Sequence, residues 1–375
     1  MESLLAQFKK YLPDYRVSCL NNLLLLILCL LDGGTVNLYK LRGKVSKFTG
    51  KPIQANSGYK RLLRIFDAHA YSRLWLCLLQ CGFQLLRWQS NYLILDGTSW
   101  KRHGISHQYL TLSIEYRSVA IPIYWVDLAK LGISNCQERK RMFRRVFNHF
   151  NLQGKTLLAD REYIGSDWIN YLTDNGLAFT IRLRKRFYQK QINKAPGLSY
   201  QELIHKVMRS KLAYKVAGKT VQVEGHTYQF VVAKYLDATG KPTLLLLLSS
   251  QESSPVKIAA SYLKRWKIEC CFRHLKSNGF DLEQINLRGK ARTKLLMAIV
   301  VFAYIISIHE GLKTYKKVRC IQRKDGTIEK AESIFRHGYD NLGTKVNTFT
   351  NWKLYLVLQI RQAKKAYRSH LALIV

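Results

Sequence analysis

The sequence predicts an α/β fold built on a mixed sheet with helical segments at both ends, and three observations carry that prediction. Short continuous apolar runs, Tyr92-Leu93-Ile94-Leu95 and Thr156-Leu157-Leu158-Ala159, read as strands buried on both faces. Two alternating stretches, Gln108 to Arg117 and Val119 to Leu128, flank a tight turn and read as an antiparallel pair. Helical stretches separate these runs. A basic one covers about Asn135 to Phe150, and another covers about Ser166 to Asp174, stopping at Asn175-Gly176 before Leu177 to Leu183 supplies a fifth strand.

Three meandering strands, a helix, then strand, helix and strand is the order of an RNase H-like mixed sheet. Its first part is assigned to residues 89–183 and its second to 251–310. At 375 residues the chain exceeds what one hydrophobic core usually fills, so further units are expected. Residues 1–88 read as a helical DNA-binding domain. There Gly33-Gly34 ends one apolar helix, Val36 to Val45 forms a short second, and a third opens at Ser57 after a Gly50-Lys51-Pro52 turn. Lys60, Arg61 and Arg64 near the start of that third helix are placed as a helix-turn-helix reader would place them.

Residues 184–250 return to strand character at Lys211 to Val216, Val221 to Glu224, Tyr228 to Tyr235 and Thr243 to Leu248, and read as a β-rich insertion. With 12 Lys/Arg against 3 Asp/Glu it should lie on DNA, with Arg184, Lys185 and Arg186 as contacts. After Ser253-Ser254-Pro255, an N-cap and N1 signature, one long helix is expected to run to Asn278-Gly279. Residues 311–375 read as a helical, basic C-terminal region.

Charge narrows the partner. The chain carries 61 Lys+Arg against 24 Asp+Glu, a formal net charge of +37, which would collect polyanions over much of its surface. Ribosomal-type RNA binders and basic membrane-surface proteins share such a balance but usually lack a large apolar core. Here 47% of residues are hydrophobic and 12% aromatic. Eight cysteines show no paired spacing of the kind a zinc site needs and read as free thiols in a reducing cytoplasm. Leu23 to Leu31 and Leu295 to Ile308 fall short of the roughly 18–20 residues needed to span a bilayer, so both are expected to be core helices and no membrane partner is expected. No cleavable signal is expected either, since Met1 precedes Glu2 and the first apolar run follows a Pro13-Asp14 turn. A cytoplasmic protein associated with the nucleoid is the expected setting.

Two apolar strands run into Asp96 and Asp160, and one acid, Glu269, lies on a later helix. Phosphoryl transfer on DNA needs such a set: acidic oxygens converging on two divalent ions about 3.5–4 Å apart, which activate a water or 3′-hydroxyl and stabilise the leaving oxygen. Either aspartate alone could be a simple turn residue after a strand. On an ideal helix Tyr262, Arg265, Glu269 and Lys276 fall within an arc of about 60°, one polar stripe beside the packing face of Ile268, Cys271, Phe272 and Leu275. One reading of the stripe is a solvated helix face with an ordinary Arg265–Glu269 pair at i,i+4; in the other, Arg265 and Lys276 would hold phosphates while Glu269 faces the metal. Glu162, two residues past Asp160, could point the same way off the strand but reads as a surface or helix-start residue, and His103, His107 and His274 have no metal-like spacing and read as surface or phosphate contacts.

The spacing Tyr262-x2-Arg265-x3-Glu269-x6-Lys276 resembles the YREK signature of DDE-type insertion-sequence transposases. Asp96 in Leu95-Asp96-Gly97-Thr98 and Asp160 in Leu158-Ala159-Asp160-Arg161 resemble the family's two aspartates. The resemblance implies Asp96, Asp160 and Glu269 as catalytic residues holding Mg²⁺ or Mn²⁺, two ions per site. Tyr262, Arg265 and Lys276 then grip the DNA backbone. It also implies cut-and-paste transposition by a homodimer acting on terminal inverted repeats and target DNA through a hairpin intermediate, with an aromatic of the insertion stacking on a flipped base. Phe187, Tyr188, Tyr228 and Phe230 are the candidates for that aromatic, since no tryptophan lies between Trp168 and Trp266. A catalytically inactive repressor and a nuclease without strand transfer are the competing readings.

Overall fold

The computed structural model of the chain describes residues 12, 15–86, 90–102, 105–237, 239–322, 326 and 328–345. The Pro13-Asp14 turn, His103 and residues 346–375 of the expected C-terminal region lie outside the described residues. The described residues before the sheet form five helices: α1 (Val17–Gly33), α2 (Leu38–Leu41), α3 (Lys44–Thr49), α4 (Ala55–His69) and α5 (Leu74–Leu86). Gly34 ends α1 in the left-handed conformation at φ 60°, its N–H bonded to Leu30 O, as a residue without a Cβ does at little cost. The single helix expected over residues 36–45 is instead two, because the Asn37 side chain caps α2 by accepting from Tyr39 N and Lys40 N, and a turn separates it from α3.

Eight strands form one mixed sheet in the order β3-β2-β1-β4-β5-β8-β7-β6. They are β1 (Tyr92–Arg102), β2 (Ile105–Tyr116), β3 (Val119–Asp127), β4 (Thr156–Ala159), β5 (Ala178–Arg182), β6 (Lys215–Val223), β7 (His226–Leu236) and β8 (Pro242–Ser249). β4 is parallel to β1 and β5, and every residue of β4 is buried, as its unbroken apolar run requires. β2 and β3 are joined by a two-residue turn with Arg117 at φ 45° and Ser118 at φ 67°, the primed geometry that suits twisted strands. Pro122 is tolerated because β3 is an edge strand, and the register slips beside it, between Leu112 and Ser113.

Two expected strand bounds are corrected here. β1 does not end at Asp96: it continues to Arg102 because β2 keeps pairing with it past the point where β4 stops. The stretch expected as a β-rich insertion does contain three strands, but β8 pairs with β5 and so β6–β8 extend the main sheet. It also holds two helices, α8 (Gln189–Lys194) and α9 (Tyr200–Met208). The second opens on a Ser199/Glu202 capping box that the alternation pattern did not reveal. Between Lys211 and Glu224 there is one strand, β6 (Lys215–Val223), in place of two.

On the sequence side of these strands lie α6 (Cys136–Phe147), capped by Asn135 with Glu138, and α7 (Ser166–Asp174). The long helix expected from Pro255 to Asn278 is also corrected. It is α10 (Pro255–Tyr262), a 3-10 turn over Leu263–Trp266, and α11 (Lys267–Leu275). α10 packs on β6 and β7, whereas α11 packs on β3 and reaches β1, so the run crosses the sheet. α12 (Lys290–Thr314) is the central helix, packed against α1, α4, α5 and α13 (Ile334–Lys345). With its 3-10 extension to Lys317 it is long and apolar enough to cross a membrane, but 89% of its apolar window is buried inside the protein. Neighbours on all sides account for its being apolar all round. A short hairpin, β9 (Cys320–Gln322) with β10 (Ile328–Lys330), interrupts the region expected to be helical throughout.

Candidate active site

Register builds the site first. In the parallel ladder Leu95 stands opposite Ala159, so the next residue of each strand is an aspartate, and Asp96 and Asp160 leave neighbouring strands side by side. Each spends one oxygen on the backbone that follows it. Asp96 Oδ1 accepts from Gly97 N at 2.8 Å, and Asp160 Oδ1 accepts from Arg161 N at 2.8 Å, which caps a 3-10 turn over Arg161–Tyr163. On the other side of Asp160, Ala159 faces Ile181, so the following Arg182 approaches with Nη1 3.8 Å from Asp160 Oδ1.

The third acid arrives through an arginine. Arg265 leaves the 3-10 turn between α10 and α11 and donates from Nη1 to Asp96 Oδ2 at 3.0 Å and from Nη2 to Glu269 Oε1 at 2.9 Å. Its side chain is 6% exposed, against 16% for Asp96, 29% for Asp160 and 54% for Glu269, so the cation is innermost and Glu269 faces solvent. Lys264 seats the same turn from its other side, donating to Glu115 Oε2 at 3.2 Å with its ammonium over the Tyr92 ring. Lys276, just past α11, donates to Ser99 O on β1 at 2.7 Å. Arg265 and Lys276 therefore both reach the stretch of β1 that begins at Asp96, and Glu269 joins it through Arg265.

The electrostatics follow from this crowding. Burial pushes Asp96 up to about 6; Arg265 and the Gly97 N–H pull it down, and Glu162 and Asp160 push it up further. Burial opposes the charge on Arg265, but Tyr262, Asp96, Asp160 and Glu269 outweigh it and raise its pKa above the ordinary arginine value. Among the described residues no three His, Cys, Asp or Glu side chains stand as a group that could hold a metal ion. Asp96 and Glu269 instead share the Arg265 guanidinium, and Asp160 lies beside Arg182.

Several expected site residues are placed differently. Tyr262 is not on a DNA-facing stripe. It is 2% exposed, packed with Val231, Ala233, Leu245, Leu247, Ile258 and Ala259, and its hydroxyl is buried beside the Arg265 guanidinium without a hydrogen bond of ordinary geometry. The reason is the 3-10 turn, which rewinds the chain between Tyr262 and Glu269 and removes the continuous helix on which the stripe was drawn. Arg265 likewise points into the acids, away from free solvent. Tyr228 and Phe230 are core residues at 2% and 0% exposure, whereas Phe187 remains half-buried beside the exposed Arg184, Lys185 and Arg186. Lys60 and Arg64 are exposed on α4, and Arg61 is half-buried with its Nε donating to Asn22 Oδ1 at 3.1 Å. His107 pairs with Asp127 at 3.0 Å, and Trp100 and Trp168 are core.

Two neighbours of the acids were not assigned to the site from sequence. Glu162 does start a helical turn, yet it comes near enough to raise the pKa of Asp96, and a Cβ on Gly97 would sit 3.8 Å from its Oε1 and 3.3 Å from the Tyr163 hydroxyl. Its position two residues after a strand-end acid was the available signal. Arg182 had none, because its role depends on the pairing of β4 with β5.

No curated protein matches the chain. Among solved structures it is similar to a piggyBac transposase determined by cryo-EM as a synaptic complex with hairpin DNA, at 11% identity and a TM-score of 0.47, covering 93% of this chain and 76% of that one. The family described as "Transposase DDE domain" matches residues 87–306, a stretch that holds Asp96, Asp160 and Glu269, and the chain belongs to that family.

Proposed function

We propose that the chain cuts DNA at the ends of its own element and joins those ends to target DNA, with Asp96, Asp160 and Glu269 as the catalytic acids. The observation that carries this reading is the Leu95–Ala159 register, which sets two aspartates on adjacent strands, together with Arg265, which ties Glu269 to the first of them. The chemistry of the donors suits a divalent ion, since all three are hard carboxylates and Glu269 faces solvent, although among the described residues they do not stand as one ligand group and Arg265 bridges Asp96 and Glu269. Asp96, Asp160 and Glu269 would hold two Mg²⁺ or Mn²⁺ ions, which supply activation of a water or 3′-hydroxyl and stabilisation of the leaving oxygen.

The protein's own groups do the rest. Arg265 holds Asp96 and Glu269 in one orientation, and Lys276 offers its ammonium beside them to a DNA phosphate. Arg184, Lys185 and Arg186 add exposed charge next to Phe187, the half-buried ring among the stacking candidates, which would take a flipped base if the reaction passes through a hairpin. Lys60 and Arg64 on α4 are the DNA contacts of the N-terminal helices, and two copies would pair the two ends.

Nicking of a supercoiled plasmid carrying the element's ends, with and without Mg²⁺, tests the assignment. Glu269→Gln should lose nicking and joining while still shifting the DNA in a gel. Undiminished cleavage by that variant would rule out Glu269, and cuts without joined products would reduce the protein to a nuclease.

A further inference from the structure

Beside the edge strand β3 lies a cavity of about 200 Å³ lined by Tyr109, Tyr124, Trp125, Asp127, Arg145, Lys290, Thr293 and Lys294 among others. Three of its groups are cations. Lys294 is half-buried, its Nζ 3.5 Å from the centre of the Trp75 ring and 5.2 Å from that of Tyr124, and Trp75 and Tyr124 also pack against His149. Ring faces stabilise an ammonium from one side only and leave its other hydrogens to be satisfied. Among the described residues no carboxylate pairs with Lys294, Lys290 or Arg145. The one acid in the lining, Asp127, is engaged by His107 Nδ1 at 3.0 Å and by Ala129 N at 2.9 Å.

Position adds a second argument. β3 runs parallel to β1, since each is antiparallel to β2, and Asp127 faces Tyr109, which faces Thr98, two residues past Asp96. The β2 and β3 part of the lining therefore lies at the same end of the sheet as the acids, two strand spacings or about 10 Å away. That is roughly three nucleotides along one strand at 3.4 Å each.

We propose that this cavity seats a backbone phosphate of DNA bound at the acids, with Lys294 and Arg145 as its anion-binding groups and Lys290 at the rim. The inference rests on the transposase reading and adds a contact to it. An ammonium already stripped of part of its water and set on aromatic rings gives up little hydration when a phosphate arrives, unlike a lysine on an open surface. Burial, reinforced by Arg145, also lowers the Lys294 pKa to about 8, which makes its amine chemically addressable.

Reductive methylation of the wild-type protein tests the proposal. Modification of each lysine is mapped by peptide mass spectrometry for the protein alone, with a DNA duplex of arbitrary sequence, and with inorganic phosphate at the same total phosphate concentration. Lys294 should be modified readily alone and several-fold more slowly with duplex, and phosphate should not protect it. Protection of other lysines without Lys294 would overturn this inference and leave the transposase reading standing. Equal protection by phosphate would make the cavity a small-anion site and overturn it too. No protection of any lysine would sink both. As a second measurement, Lys294→Gln should flatten the dependence of log affinity on log salt by about one unit, and an unchanged slope would also count against the proposal.

Discussion

Arg265 and Asp96, far apart in the chain, are joined by a hydrogen bond of 3.0 Å from Nη1 to Oδ2 at the end of the β1–β4 pairing. The second arm of the same guanidinium holds Glu269. The acid cluster is thus assembled around a positive charge supplied by the protein itself, and Asp96 is held in place by a group that also reports on Glu269.

Asp96 carries its charge at a cost, since burial lifts its pKa to about 6. Asp96→Asn removes that cost and loses the attraction of Arg265, and burial is the larger effect. The metal-free variant should therefore be more stable than wild type near neutral pH by about 1 kcal/mol, as a shift of this size allows, while nicking disappears. Urea unfolding measures the first effect, and a less stable variant would contradict the account.

Tyr262 belongs to the YREK-like spacing, yet its hydroxyl is buried beside the Arg265 guanidinium and makes no hydrogen bond of ordinary geometry. A buried hydroxyl left unsatisfied costs roughly 1 kcal/mol or more. Tyr262→Phe should keep the ring packing, hold or raise the melting temperature, and leave DNA binding and nicking intact. Loss of either activity in a folded variant would return Tyr262 to the DNA interface.

The crossing of α12 and α13 depends on two glycines. A Cβ on Gly338 would lie within 2.4 Å of the Gly311 backbone nitrogen and closer still to Ser307 O, and one on Gly311 would strike Ile334 O. Gly338→Ala must force the helices apart and should cost about 3 kcal/mol. Gly343, on the same helix, meets nothing within 4 Å, so Gly343→Ala should gain about 0.5–1 kcal/mol. Thermal unfolding of the two variants gives opposite signs if the packing is as described.

His274 is buried, with Nδ1 3.4 Å from the Tyr304 hydroxyl and Nε2 3.1 Å from Ser333 Oγ. Burial lowers its pKa to about 4 from 6.5, and Arg273 and Arg336 add to the shift. The unfolded chain therefore binds more protons than the folded one between those values. The stabilisation is complete above about 6.5 and is lost as pH falls toward 4, up to roughly 3 kcal/mol. His274→Gln should lessen the acid sensitivity over that window, which pH-dependent unfolding of the two proteins would show. Parallel curves would remove His274 as the cause.

Much of the sheet was legible in the chain. Strands buried on both faces need unbroken apolar runs, so β4 and the start of β1 announce themselves, as does the β2–β3 hairpin through its alternation. The three acids were legible as residue types at strand ends and on a later helix. Their neighbours were not. That β1 runs past Asp96 depends on β2 continuing to pair with it, and that β6–β8 join the main sheet depends on β8 finding β5. Neither partner is encoded locally.

By itself the sequence determined the +37 charge, the order of strands and helices from Tyr92 to Leu183, and the acids Asp96, Asp160 and Glu269 as candidates. Tertiary structure alone decided that Asp96 and Asp160 stand in register, that Arg265 turns inward to bind two acids, and that Tyr262 is core. The physical reason is the same in each case. Periodicity reports which face of an element is apolar, but a 3-10 turn of four residues rotates every side chain after it, and the direction a buried cation takes is set by the carboxylates that other strands bring to meet it.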